Sequence, residues 1–126
     1  MASFFLDSLS LGANPSNITL YLQEKFPSNL KKVSLKSVTF DYKQPEAGNR
    51  IVYIHCDILN KDDNLFNGKK SDILGVTAIK PMRFGPSFIL EKSYKTLKYT
   101  DFTSITIYLS EPFKNLKRIV YELDFV

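Results

Sequence analysis

Nine residues near the middle of the chain, Ile51-Val52-Tyr53-Ile54-His55-Cys56-Asp57-Ile58-Leu59, limit the fold more than any other stretch. Side chains alternate across an extended strand, so Val52, Ile54, Cys56 and Ile58 share one face. That face is wholly apolar and has to be buried. The opposite face carries Ile51, Tyr53, His55, Asp57 and Leu59, a mixture suited to a second packing surface or a subunit contact. Ile, Val and Tyr at this density fit a pleated sheet and suit a helix poorly. The stretch is predicted to be a central strand of an all-β domain.

Similar alternation recurs along the chain. Ser3 to Leu11 reads as a first strand bent near Asp7, and Ile18, Leu20 and Leu22 mark a second. Between Val33 and Tyr42 the apolar parity changes after Leu35, which a β-bulge near Lys36-Ser37 would repair. Asn60 to Ser71 reads as a solvated loop, and Ile73 to Ile79 as a strand ended by Pro81. Phe88 and Leu90 flank a short strand, and Ser93 to Asp101 reads as irregular. Ile105, Ile107 and Leu109 form one late strand, and Ile119, Tyr121, Leu123 and Phe125 another. The connection Ser110 to Lys117 is compatible with a hairpin between them. About eight strands at short spacing predict a single antiparallel β-sandwich, an eight-stranded jelly-roll, over residues 1–126.

The 126 residues suffice for one domain with one core, and 44% apolar residues argue against disorder. With a single cysteine, neither an intramolecular disulfide nor a multi-cysteine zinc site can form, and Cys56 reads as a small core residue. The first residues lack a basic segment, and Asp7 interrupts their apolar run. No stretch approaches the length of a membrane-spanning helix. The expectation is a soluble, reduced, non-secreted protein with no membrane partner.

Motif chemistry is sparse. His55, the one histidine, shares a strand face with Asp57, and that pair is the only plausible enzymatic centre. The expected role is structural, with His55 held by Asp57 or a backbone carbonyl. Asp62-Asp63-Asn64 and Asn67-Gly68 resemble part of a calcium loop but lack its spacing and its bidentate glutamate, so they read as a charged turn. No cofactor, metal or catalytic residue is expected. The net charge of +4 is compatible with a polyanion, and Lys80, Arg83, Lys92, Lys95 and Lys98 lie among Phe84, Phe88 and Tyr94. A small basic β-barrel that binds single-stranded nucleic acid is therefore the alternative reading. The basic residues form no run longer than a pair, so any such binding is expected to be weak.

The second half carries a recognisable succession: Val52-Tyr53-Ile54-His55-Cys56-Asp57-Ile58, Ile73-Leu74-Gly75-Val76, then Phe88, Tyr94 and Leu97. Phe102 to Leu109 and the final Leu123-Asp124-Phe125 complete it. Over roughly residues 50–126 it resembles jelly-roll capsid proteins of the polinton, adintovirus and virophage-like group of double-stranded DNA viruses. Glu111-Pro112 departs from the Asp/Asn-Gly turn usual there, and the chain is too short for a double jelly-roll. The resemblance implies a single jelly-roll subunit of minor capsid, penton-like or cement type. Such a protein is non-enzymatic and sits in a virion or in the host cytoplasm or nucleus. Its partners would be copies of itself or other capsid subunits. Tyr53, Leu59, Leu65, Phe66 and Phe113 are the candidate subunit contacts, as apolar residues on a mixed face or in loops.

Overall fold

The computed structural model describes residues 2–44, 50–79, 84–98 and 102–126. The strands are β1 (Ala2–Asp7), β2 (Asn17–Tyr21), β3 (Lys32–Tyr42), β4 (Arg50–Cys56), β5 (Leu65–Phe66) and β6 (Lys69–Lys70). They continue as β7 (Ile73–Ile79), β8 (Phe84–Pro86), β9 (Phe88–Glu91), β10 (Lys95–Thr96), β11 (Ser104–Leu109) and β12 (Leu116–Phe125). A one-turn helix, α1 (Ser8–Leu11), follows β1. The first sheet runs β1-β12-β3, with β8 and β10 both on the far edge of β3. The second runs β2-β11-β4-β7-β9, and every pairing is antiparallel. The chain changes sheet at each step from β1 to β4 and again at each step from β7 to β12. That wrapping is the path of a jelly-roll, and the protein is an all-β sandwich.

Each of the eight expected strands is present, and the four additional ones are only two or three residues long. The bulge lies where parity requires it. Glu122 pairs with Ser37 and Leu123 with Leu35, so Lys36 is the extra residue and Leu35 and Val38 both point inward. Other boundaries differ from expectation for local reasons. Asp7 ends β1 because its carboxylate accepts the Leu9 amide at 3.0 Å, and Gly12, at φ 64°, closes the single turn of α1. The central strand stops at Cys56, since Asp57 and Ile58 turn, and Leu59 instead forms an isolated bridge with Leu97. The 110–117 connection is not a hairpin: β11 and β12 belong to different sheets, and the segment crosses between them.

The core lies between the sheets. From the first come Val33, Leu35, Val38, Phe40 and Tyr42 of β3 with Ile119, Tyr121, Leu123 and Phe125 of β12, all essentially inaccessible. Against them pack Ile18, Val52, Ile54, Cys56, Leu74, Ile105 and Ile107. Each large apolar side chain buried in this way contributes about 1.5–3 kcal/mol. Burial pushes the Cys56 thiol up to about 12, so it is an inert packing residue as expected. At one end Phe26 sits 4.6 Å from Phe102 and 5.0 Å from Phe125, ring centre to ring centre. Gly75 of β7 faces the core where no larger residue fits. An added Cβ would lie 2.7 Å from Leu35 Cδ2 and 2.9 Å from the Glu91 carbonyl oxygen.

The 60–71 segment is more ordered than a solvated loop. Asn67 (φ 51°) and Gly68 (φ 77°) form the tight two-residue turn of the β5–β6 hairpin, both with positive φ. Asn64 is buried and fastens the segment to β10. Its Nδ2 donates to the Asn60 and Thr96 carbonyls at 2.7 and 2.9 Å, and its Oδ1 accepts the Thr96 amide at 3.0 Å. The calcium-like string is therefore a structural turn. Among the described residues no group of three or more His, Cys, Asp or Glu could hold a metal ion.

Candidate functional site

The two outer faces of the sandwich differ. The first sheet turns charged and polar groups outward: Arg118 pairs with Asp7, Lys36 lies 3.7 Å from Glu122, and Ser37 donates to Glu122 at 3.1 Å. Among the described residues of its strands, Phe5 is the large apolar exception. The second sheet presents three zones in succession across its strands.

On β2 and β11 the zone is polar. Thr19 and Thr106 pair across the strands with their hydroxyls 3.0 Å apart, and Tyr21 stands exposed at the end of β2. On β4, β7 and β9 the zone is apolar. Ile51 pairs with Ala78 and Ala78 with Phe88, giving one outward row. Tyr53 pairs with Val76 in the next row, Val76 pairs with Glu91, and Leu90 is the extra residue of a bulge between Glu91 and Ile89. Ile51 is 53% exposed, Phe88 67% and Leu90 51%, so this part of an open sheet is not turned polar toward water. The β5–β6 hairpin extends the zone: Phe66 packs edge-on against Tyr53 at 5.8 Å, and Leu65 is exposed.

Between these zones four side chains interlock. Strand register sets Tyr108 directly opposite His55, and their rings stack at 4.8 Å and 7°. In β7 Ile73 opposes His55 while Gly75 opposes Ile54, so Leu74 is a bulge that advances the strand and brings Asp72 alongside. Asp72 Oδ1 lies 2.7 Å from His55 Nδ1, and Tyr108 donates its hydroxyl to Asp72 Oδ2 at 2.7 Å. On the other side of the ring, His55 Nε2 lies 2.7 Å from Ser110 Oγ. An ionised carboxylate only accepts, so Nδ1 carries a proton, and in the neutral ring Nε2 accepts from Ser110. Partial burial opposes ionisation of Asp72, but the hydrogen bonds from His55 and Tyr108 outweigh it and hold the carboxyl below its usual range. Hydrogen bonding to Asp72 pushes the Tyr108 hydroxyl up to about 12.

His55 is thus not held by Asp57, which instead accepts the Thr106 amide at 2.9 Å. Strand alternation made Asp57 the obvious partner, but the strand ends before it. Of the candidate contacts, Tyr53, Leu65 and Phe66 gather at the apolar zone. Leu59 and Phe113 are withdrawn: both are buried in the chain's own core. Leu59 turns inward after β4, and Phe113 plugs the crossing from β11 to β12 beneath Arg50, whose guanidinium carbon stands 4.6 Å from the ring centre. Ile51, Phe88 and Leu90 are contact candidates that loop position and composition did not single out.

Of the basic candidates, Lys80 and Arg83 fall outside the described residues. Lys95 is engaged by Glu91 at 2.8 Å and Ser93 at 2.6 Å, and that lysine holds the Glu91 carboxyl down to about 2. Lys92 and Lys98 are exposed. Among the described residues no helix is long and apolar enough to cross a membrane.

No family model and no curated protein matches the chain. Among solved structures it is similar to a carbohydrate-binding module, CBM36, in complex with calcium and xylotriose. The identity is 12% and the TM-score 0.35, over 87% of this chain and 71% of that one. A likeness of that size carries no argument about what this chain binds.

Proposed function

We propose that the protein is an assembly subunit that works through contacts, with the apolar zone of the second sheet as its main interface. One observation carries the reading: the first sheet turns salt-bridged residues to water, whereas Ile51, Tyr53, Phe88 and Leu90 lie outward together on the second. Monomeric proteins rarely expose contiguous apolar surface of this kind, and closed symmetry buries it with copies of the same chain. The jelly-roll path supports the resemblance of residues 50–126 to capsid proteins, and a capsid-associated subunit is the form of assembly we favour.

Light scattering on a size-exclusion column provides the test. The expected result is a concentration-dependent oligomer for the wild type and a folded monomer for Phe88→Asp. A wild type that stays monomeric at its highest soluble concentration, and binds no second subunit, would end the proposal.

A further inference from the structure

The interlocked side chains on the outer face have the order of a nucleophile, a base and an orienting acid. Ser110 is exposed and follows the last residue of β11. Its amide is used in a hydrogen bond to the Tyr53 carbonyl at 3.1 Å, which fixes the backbone and leaves the hydroxyl as the variable group. That hydroxyl lies 2.7 Å from His55 Nε2 but 3.4 Å from the Tyr53 carbonyl oxygen, so the imidazole is its partner. The ring has little freedom to turn away. It stacks on Tyr108, and Asp72 holds Nδ1 while its own second oxygen is held by Tyr108. A nucleophile within hydrogen-bond reach of a base that a third group orients is the arrangement that activates serine, whatever the fold.

The geometry points to Ser110 as an activated nucleophile that accepts an acyl group from a small ester, with His55 as its base and Asp72 as a positioning residue. Ser110 Oγ attacks the ester carbonyl as its proton passes to His55 Nε2. The bond from the carbonyl carbon to the leaving oxygen breaks, and that oxygen takes the proton from Nε2 and departs as the alcohol. Water then attacks the carbonyl carbon of the acyl-serine as its proton passes to Nε2; the bond from that carbon to Ser110 Oγ breaks, Oγ takes the proton back from Nε2, and the carboxylic acid leaves. Asp72 stabilises the imidazolium formed in each half.

The surroundings of Ser110 limit the substrate. The serine opens onto a small cleft lined by Arg50, Tyr53, Glu111 and Phe113, with about 70 Å³ of space for water-sized groups. A single water needs roughly 10–15 Å³ of such space, so the cleft suits a short acyl chain. Arg50 and Glu111 meet at its rim, 3.4 Å apart, and Arg50 also lies over the Phe113 ring, so the walls of the cleft are fixed.

The test is reaction of the full chain with a fluorophosphonate, in which Ser110 Oγ displaces fluoride, read by intact mass and peptide mapping. Release of p-nitrophenolate from p-nitrophenyl acetate is followed in parallel. A single adduct on Ser110 is expected, absent from Ser110→Ala and slowed about 10²–10⁴-fold in His55→Gln. Asp72→Asn should also slow it, with circular dichroism confirming that each variant is folded. Should His55→Gln fail to fold, the wild-type pH profile decides, because His55 is the one histidine in the chain. The titratable and charged groups around the imidazole are Asp72 and Tyr108, with Lys61 and Asp57 further out. A rate that rises through one imidazole deprotonation supports the assignment, and a flat profile overturns it. No Ser110 adduct, labelling spread over many serines, or an equal rate in the urea-unfolded chain overturns it as well. Phe88→Asp leaves all four interlocked residues in place, so loss of assembly and loss of reactivity are read separately.

Discussion

Replacing Asn64 by Ala tests whether the 60–71 segment is fastened as described. Three hydrogen bonds disappear, but they are not equivalent. The Thr96 carbonyl keeps the Asn60 amide at 2.9 Å, and the Asn60 carbonyl keeps the Asp63 amide at 3.2 Å, so each loses a second donor only. The Thr96 amide, on the side of β10 away from β3, loses the partner that Asn64 supplies. An orphaned buried amide costs about 1–3 kcal/mol, and each weakened carbonyl about 0.5, for a total of about 2–4 kcal/mol. Urea unfolding followed by tyrosine fluorescence and circular dichroism should show the midpoint falling by about 1–2 M at unchanged slope. Asn64→Asp sharpens the test. The introduced carboxylate would face two carbonyl oxygens, which raises its folded pKa above the unfolded value. Its deficit relative to wild type should then shrink as pH falls through that raised pKa, when the protonated acid can donate. A midpoint for Asn64→Ala within error of wild type, or an Asn64→Asp deficit independent of pH, would refute the reasoning.

Gly75→Ala should destabilise by about 1–3 kcal/mol, seen as a lower melting temperature, because the Glu91 backbone cannot yield as a side chain can. Tyr121→Phe should be neutral or stabilising by about 1 kcal/mol in urea unfolding, since the buried Tyr121 hydroxyl has no hydrogen-bond partner among the described residues. The hydrogen bond from Arg118 lowers the Asp7 carboxyl from 3.8 to about 2. Its stabilisation is therefore complete above pH 3.8 and lost as pH falls toward 2, so the gap between wild type and Asp7→Asn in an acid titration should close over that window. Binding to single-stranded DNA should be weak and fade as salt rises, measured by fluorescence anisotropy.

The fold was legible because period-two alternation leaves so few options. The parity break after Leu35 located a bulge to within one residue, and Ile105 to Leu109 and Ile119 to Phe125 declared themselves as strands. Alternation says nothing about which sheet a strand joins, so the crossing between β11 and β12 has the same sequence pattern as a hairpin. Asn67-Gly68 carried its own turn chemistry, but the flanking pairs Leu65-Phe66 and Lys69-Lys70 are too short to show a period. The site was less legible. Asp57 shared the parity of His55, whereas its true partners, Asp72 and Ser110, stand 17 and 55 residues away in sequence and meet it only through pairing of β4 with β7 and β11. Leu59 takes the outward parity of Tyr53 only if the strand continues, and the turn after Cys56 reverses it, whereas Phe113 lies in a connection with no period to assign it a face.

The position of β12 has a consequence for synthesis. This last strand in the chain is an interior strand of the first sheet, flanked by β1, the first, and by β3. As the polypeptide leaves the ribosome from its N-terminal end, β1 and β3 emerge early and cannot complete their ladders. The sheet is built when residues 116–125 slide between them, burying Ile119, Tyr121, Leu123 and Phe125 in one late event. Until then the nascent chain holds two unpaired strand edges, the surface a holding chaperone would cover, and a chain cut before Leu116 should stay unfolded and bound to one.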